Sequence, residues 1–176
     1  MDQSTKTGVL VVFLSALGIF SHLLPHDMGI STVGAIGMLA AAYLPRWLAL
    51  IPVVVTVFVS DLYVGFYGLI GMSFVYLAHV LATLAVQSTL KRPRALTVTG
   101  AAVLNACVFY AVSNLTPMAL EFYPATLSGW LTCYANALPY LMKGILANLA
   151  FGGAAFGIIW LVSISSAYRL LTAQRH

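Results

Sequence analysis

The feature that most constrains this chain is a succession of apolar runs, broken at short intervals by Pro, Arg, Asp and Lys. The runs cover about residues 8–24, 30–45, 47–63, 68–88, 96–115 and 136–165. A helix that crosses a bilayer needs about 20 mostly apolar residues. Each run therefore predicts a membrane helix, the second being short for a full crossing. Of the 176 residues, 61% are hydrophobic and 7% are charged, whereas a soluble domain is about a quarter charged. The expectation is one all-α integral membrane domain of six transmembrane helices over residues 1–176, with no separate soluble domain.

Charge orients the bundle. With the N-terminus inside, Lys6, Arg46, Lys91, Arg92, Arg94, Arg169 and Arg175 fall on one side, seven of the eight basic residues. Cytoplasmic loops carry such an excess. Asp27, Asp61 and Glu121 fall on the other side. Five or seven crossings would spoil the sorting, so it supports six as well as an N-in, C-in topology. The net charge of +4 then reflects topology and does not point to nucleic acid. Ser21-His22-Leu23-Leu24-Pro25 lacks an Ala-x-Ala cleavage pattern, so the first run is expected to be retained as a helix. Cys107 and Cys133 are placed at different depths, and no disulfide is expected.

Several chemistries lack their motif. There is no Gly-x-x-x-x-Gly-Lys-Ser/Thr loop for ATP, no His-Glu-x-x-His, no Cys-x-x-Cys and no nucleophile elbow. The chain is not expected to be an enzyme or to carry a cofactor. His22, His26 and Asp27 are close in sequence, but three such groups in an outer loop are weak grounds for a metal.

Polar residues within apolar runs are costly in lipid and tend to face the bundle interior. Val59-Ser60-Asp61-Leu62 is echoed by Val112-Ser113-Asn114-Leu115 at the outer ends of the third and fifth runs. Asn136, Tyr140 and Lys143 recur at i, i+4 and i+7, which places them on one helix face. Lys143 predicts a nearby carboxylate: Asp61, Glu121 or an anionic ligand group. A Lys143–Asp61 pair that only fixes helix packing is the plainer reading. Ser73, Tyr76, His79 and Thr83 form a deeper stripe, with His79 read first as an interhelical hydrogen-bond donor. Asn105 and Asn148 are read as interhelical amides.

Residues 116–134 are mixed, holding Pro117, Glu121, Pro124 and Gly129. Phe122-Tyr123-Pro124 and Trp130, together with Tyr63, Phe66 and Tyr67, fit either an interfacial aromatic belt or the cap of a small-molecule cavity. Gly34, Gly37 and Ala41, and the run from Gly153 to Gly157, allow close backbone approach within the bundle or against another protein.

Ser60-Asp61-Leu62 with Gly65-Phe66, Tyr76, Ser113-Asn114, Tyr123-Pro124, Leu127 with Gly129, Cys133-Tyr134 and Leu138-Pro139 resemble the recurring pattern of a family of small uncharacterised bacterial membrane proteins. That family is similar to the substrate-binding S components of energy-coupling-factor (ECF) transporters. The resemblance runs from about Pro25 to Gly157. It implies a six-helix S-component-like bundle with a small-molecule pocket opening outward beneath loops one, three and five. Those loops are residues 25–29, 63–67 and 116–134. It also implies a transmembrane coupling subunit with two ATPases as partners. The first helix lacks the Ala-x-x-x-Ala that S components typically offer that subunit. The expected function is capture of a small vitamin-like or nutrient molecule for uptake, with Asp61, Asn114, Tyr123, Trp130, Asn136, Tyr140 and Lys143 as the expected pocket residues. The alternative is a structural or accessory subunit of a larger membrane complex without a ligand of its own. A solitary channel is disfavoured, since no continuous polar stripe runs from one side to the other.

Overall fold

The computed structural model describes residues 2–24 and 29–173, with side chains as far as Ile164. Pro25, His26 and Asp27 of the first loop and Arg175 of the tail lie outside the described residues. All regular structure among the described residues is helical. Among the described residues, four helical stretches are long and apolar enough to cross a membrane: Gln3–Leu23, Leu69–Val86, Ala95–Ala119 and Leu127–Ile164. Val33–Tyr43 and Leu50–Val64 are apolar but shorter. The chain thus has the make-up of a small multi-pass membrane protein, with four rather than six helices of spanning length.

The first helix, α1 (Gln3–Leu23), begins earlier than its apolar run because Asp2 caps it, its carboxylate accepting from the Thr5 amide at 2.7 Å. Only Leu14 and Gly18 of α1 are buried, and the helix rests on α3 (Leu50–Val64). A Cβ at Gly18 would collide with the Thr56 side chain, so glycine sets that approach.

Between them lies α2 (Val33–Tyr43), whose burial is the key to the architecture. Eight of its 11 residues are buried, and it touches α1, α3, α4 (Leu69–Val86), α5 (Ala95–Ser113) and α7 (Leu127–Ala147). A helix apolar on every face is a core helix. Pro45 follows Leu44 and ends it. At 11 residues α2 is about 16 Å long, roughly half the thickness of a hydrocarbon core. It fills one half of the bundle axis and leaves the other half to something else.

The two ends of the bundle are distinguishable. The Gln87 side chain donates to the Arg46 carbonyl at 3.4 Å, and residues Gln3 to Gly8 share a surface groove with Pro45 and Leu48. Lys6, Arg46 and the Lys91–Arg94 run are therefore gathered at one end. At the opposite end Ser21 and Thr32 hydroxyls meet at 2.8 Å. There α3 stops at Gly65 (φ 106°), and Gly68 (φ 100°) precedes α4. Both lie in a region that side chains with a Cβ rarely adopt.

The last run differs most from the sequence expectation. Its helix starts at Leu127, nine residues before Asn136, because Thr126 supplies an N-cap: its hydroxyl accepts from the Gly129 amide at 3.2 Å. Gly129 is required there, since a Cβ would run into the Pro124 carbonyl. Residues 116–134 are consequently only partly a loop, with a short α6 (Leu115–Ala119) before the cap. Past Ala147 a π-helical turn, Asn148–Gly152, leads into α8 (Gly153–Ala173). The apolar stretch Leu127–Ile164 has 38 residues, about 57 Å if straight, which exceeds one crossing.

Candidate functional site

The half of the axis that α2 does not fill is a cavity of about 600 Å³. Each surrounding helix presents a stripe at helical spacing: Val57, Ser60, Asp61 and Val64 from α3; Val75 and His79 from α4. Helix α5 adds Asn105, Ala106, Phe109, Tyr110, Ser113 and Asn114, and α7 adds Tyr140, Leu141 and Gly144. His22 of α1, the segment Gly29–Ser31, Gly34 of α2, Tyr67 and Asn148 complete the wall. The cavity opens at the end opposite the clustered lysines and arginines. Its volume suits a drug-sized or vitamin-sized molecule.

The floor is made by amides. Asn148 Nδ2 donates to Asn105 Oδ1 and to the Ala102 carbonyl, both at 3.1 Å. Both residues are buried, so these bonds tie the π-helical turn to α5 as the interhelical reading expects. Gly34 lies directly against the pair, and a Cβ there would strike Asn148 Oδ1. Asn105 Nδ2 has no acceptor among the described residues and belongs to the cavity wall.

The carboxyl of Asp61 is buried beside the cavity, and its Oδ2 accepts from the Tyr76 hydroxyl at 2.8 Å. Tyr76 thus holds the acid in place from behind. Tyr67 lies in the α3–α4 loop, where burial and then the charge of Asp61 push its phenol up to about 12. It remains a neutral donor at any physiological pH. His79 packs its ring against Phe109 of α5 at 4.4 Å. His22 Nδ1 is 3.3 Å from the Ser31 hydroxyl.

Of the residues expected from sequence, Asp61, Asn114 and Tyr140 line the cavity. Asn114 donates to the Tyr110 carbonyl one turn back, at 2.8 Å. Tyr123, Trp130 and Asn136 are not among the lining residues and belong to the region around the start of α7. There Asn136 donates to the Tyr123 hydroxyl at 3.3 Å and Trp130 stacks on Tyr134. Tyr134 donates to the Ala111 carbonyl at 2.7 Å, and the Tyr110 hydroxyl donates back to the Tyr134 carbonyl, which locks this region onto α5. Lys143 packs beside Gly29 and is held in an interaction of its own. The described partner of Asp61 is the Tyr76 hydroxyl, so the Lys143–Asp61 pair is not formed.

Sequence reasoning did not place Tyr67, Asn105, Phe109, Tyr110 and Asn148 in one site. The signal was available in part: Asn105, Phe109 and Ser113 repeat every four residues, as do Val75 and His79. No group of three or more metal-ligating side chains occurs among the described residues.

The chain belongs to a family of unknown function (DUF6580), whose family profile matches residues 2–171. No curated protein and no solved structure matches it.

Proposed function

We propose that this chain, as a member of that family, is the substrate-capturing component of a bacterial uptake system for a small vitamin-like or nutrient molecule. The observation that carries the reading is the 600 Å³ cavity at the end of the bundle away from the basic loops. With those loops on the cytoplasmic side, the cavity faces outward, as capture requires. In this reading α2 and α3 act as two further membrane-embedded segments. That gives six passes with both termini inside an inner membrane, an arrangement resembling the S components of ECF transporters. A transmembrane coupling subunit with two ATPases would supply the energy, and neither catalysis nor nucleic-acid binding belongs to this chain.

Native mass spectrometry on protein gently extracted from its host membrane tests the proposal. A small retained mass, lost in a Gly34→Leu variant that fills the cavity floor, is the expected result. A bare chain that also fails to co-extract with a coupling subunit and ATPases overturns it.

One observation favours the accessory-subunit reading. Gly153 and Gly157 of α8 have nothing within 4 Å of where a Cβ would lie, which leaves a small-residue surface for a neighbouring helix. Crosslinks from Gly153→Cys to a stable non-transporter protein would select that reading.

A further inference from the structure

We infer that the captured molecule carries a positively charged nitrogen, set against Asp61 and among aromatic faces; this deepens the capture reading and rests on it. Asp61 is 8% exposed and lines the cavity. The neutral Tyr76 hydroxyl covers one of its oxygens, and among the described residues no other side chain donates to it. A buried carboxylate in a membrane-embedded bundle is costly unless it is paired.

Among the described residues, no opposite charge meets Asp61. No Lys or Arg is among the described residues that line the cavity. Lys143 lies beside Gly29 and is already engaged. The two imidazoles of the wall face other groups, His22 the Ser31 hydroxyl and His79 the Phe109 ring, and neither bonds to Asp61 among the described residues. The counter-charge is therefore left to the ligand.

The walls point to the same chemistry. Tyr67, Phe109, Tyr110 and Tyr140 all line the cavity. Aromatic faces attract a cation held within about 6 Å, and desolvation strengthens the attraction. A carboxylate among several rings is a setting for an ammonium group. At the floor Asn105, 3% exposed, has its oxygen taken by Asn148 while its amide nitrogen has no acceptor among the described residues. That nitrogen calls for an acceptor on the ligand: a carbonyl, a hydroxyl or a ring nitrogen. The ligand class is a compact, largely apolar amine with an acceptor remote from its charge.

Four matched probes test the inference on the full chain in lipid nanodiscs, by thermal shift and calorimetry: 2-phenylethylamine, benzyltrimethylammonium, 3-phenylpropionate and 2-phenylethanol. The two cations are expected to bind saturably and to raise Tm, and the acid and alcohol are not. Asp61→Asn should weaken the cations at least tenfold, while Asn136→Ala, outside the cavity wall, leaves them unchanged. Tyr76→Phe keeps the carboxylate but removes the hydroxyl that holds it in place, so the cations should bind several-fold more weakly while the acid and the alcohol are unaffected. Acid or alcohol bound as tightly as the amine, and indifferent to Asp61→Asn, overturns the cation inference while leaving the cavity as a ligand site. Silence from all four probes also overturns it, and the retained-mass measurement then decides separately whether anything is captured. Cation binding unchanged in both Asp61→Asn and Tyr76→Phe counts against the Asp61 assignment in the same way.

Discussion

The same helices enclose two different interiors. Toward the basic end the axis is solid: Met38, Leu39, Leu44, Ala49, Val53, Val86 and Leu90 are all buried in one apolar cluster. Toward the other end, where α2 has not yet begun, the wall turns inward with Asp61, Asn105, Asn114 and a set of rings, and encloses the cavity. One 11-residue helix separates the two. The difference teaches that the cavity arises from a short core helix, not from helices splayed apart. The solid half holds the framework while the hollow half is left for recognition. If so, substitutions in the solid half should act on stability, and those around the hollow half mainly on binding.

The largest effect is expected from Met38→Ala. Met38 is fully buried, with its terminal methyl close to Gly152 of the π-helical turn. Truncating a buried methionine costs about 2–5 kcal/mol through lost contacts and the void left behind. Asn114→Ala, at the hollow end, removes a bond to its own helix one turn back and should cost well under half as much while weakening ligand binding. Denaturation in mild detergent would show this as a large drop in Tm for the first variant and a small one for the second. Equal losses would erase the distinction between the two halves.

Asn148→Ala probes the boundary between them. It deletes both floor bonds, to Asn105 and to Ala102. Interhelical hydrogen bonds in membrane proteins are worth about 0.6 kcal/mol on average and up to about 1.7, so a loss of about 1 kcal/mol is expected. Because the freed Asn105 amide stays in the cavity wall, ligand affinity should also change. A stability loss with no change in binding would move the floor into the solid half.

How much of this was legible in the sequence depends on which interaction fixed each feature. The apolar runs and the sorting of Lys and Arg are properties of contiguous segments, and they gave the helices and the two ends of the bundle. Asp61, Asn114 and Tyr140 were legible as polar or aromatic residues on inward stripes. The Asn148–Asn105 bond joins residues 43 apart, and no local pattern predicts which distant amides meet. The cavity depends on the length of α2 relative to its neighbours, a relation between segments that no single run displays. Tyr123, Trp130 and Asn136 were grouped with the pocket because aromatic and amide side chains suit either a pocket wall or a cap. Only the path of α7 decides which, and its beginning was misplaced by nine residues.

That misplacement yields the smallest effect and the sharpest check. Thr126-Leu127-Ser128-Gly129 reads as a loop, since Ser and Gly are poor helix formers and Pro124 lies just upstream. The fold reverses that reading because the Thr126 hydroxyl satisfies the amide of Gly129. The glycine in turn allows the helix to start directly against the Pro124 carbonyl. Exposed N-caps contribute about 1 kcal/mol, and here the loss falls on the first turns of α7 alone. Thr126→Ala should therefore leave the global Tm almost unchanged while raising amide exchange over residues 127–133, because fraying is local and the bundle anchors the helix further along. Since Trp130 stacks on Tyr134 within this segment, the same variant should loosen the region where α7 starts without touching Asp61 or Asn105. Exchange unaltered by Thr126→Ala would mean that packing against α5, through the Tyr110–Tyr134 and Tyr134–Ala111 bonds, rather than the cap, sets where α7 begins.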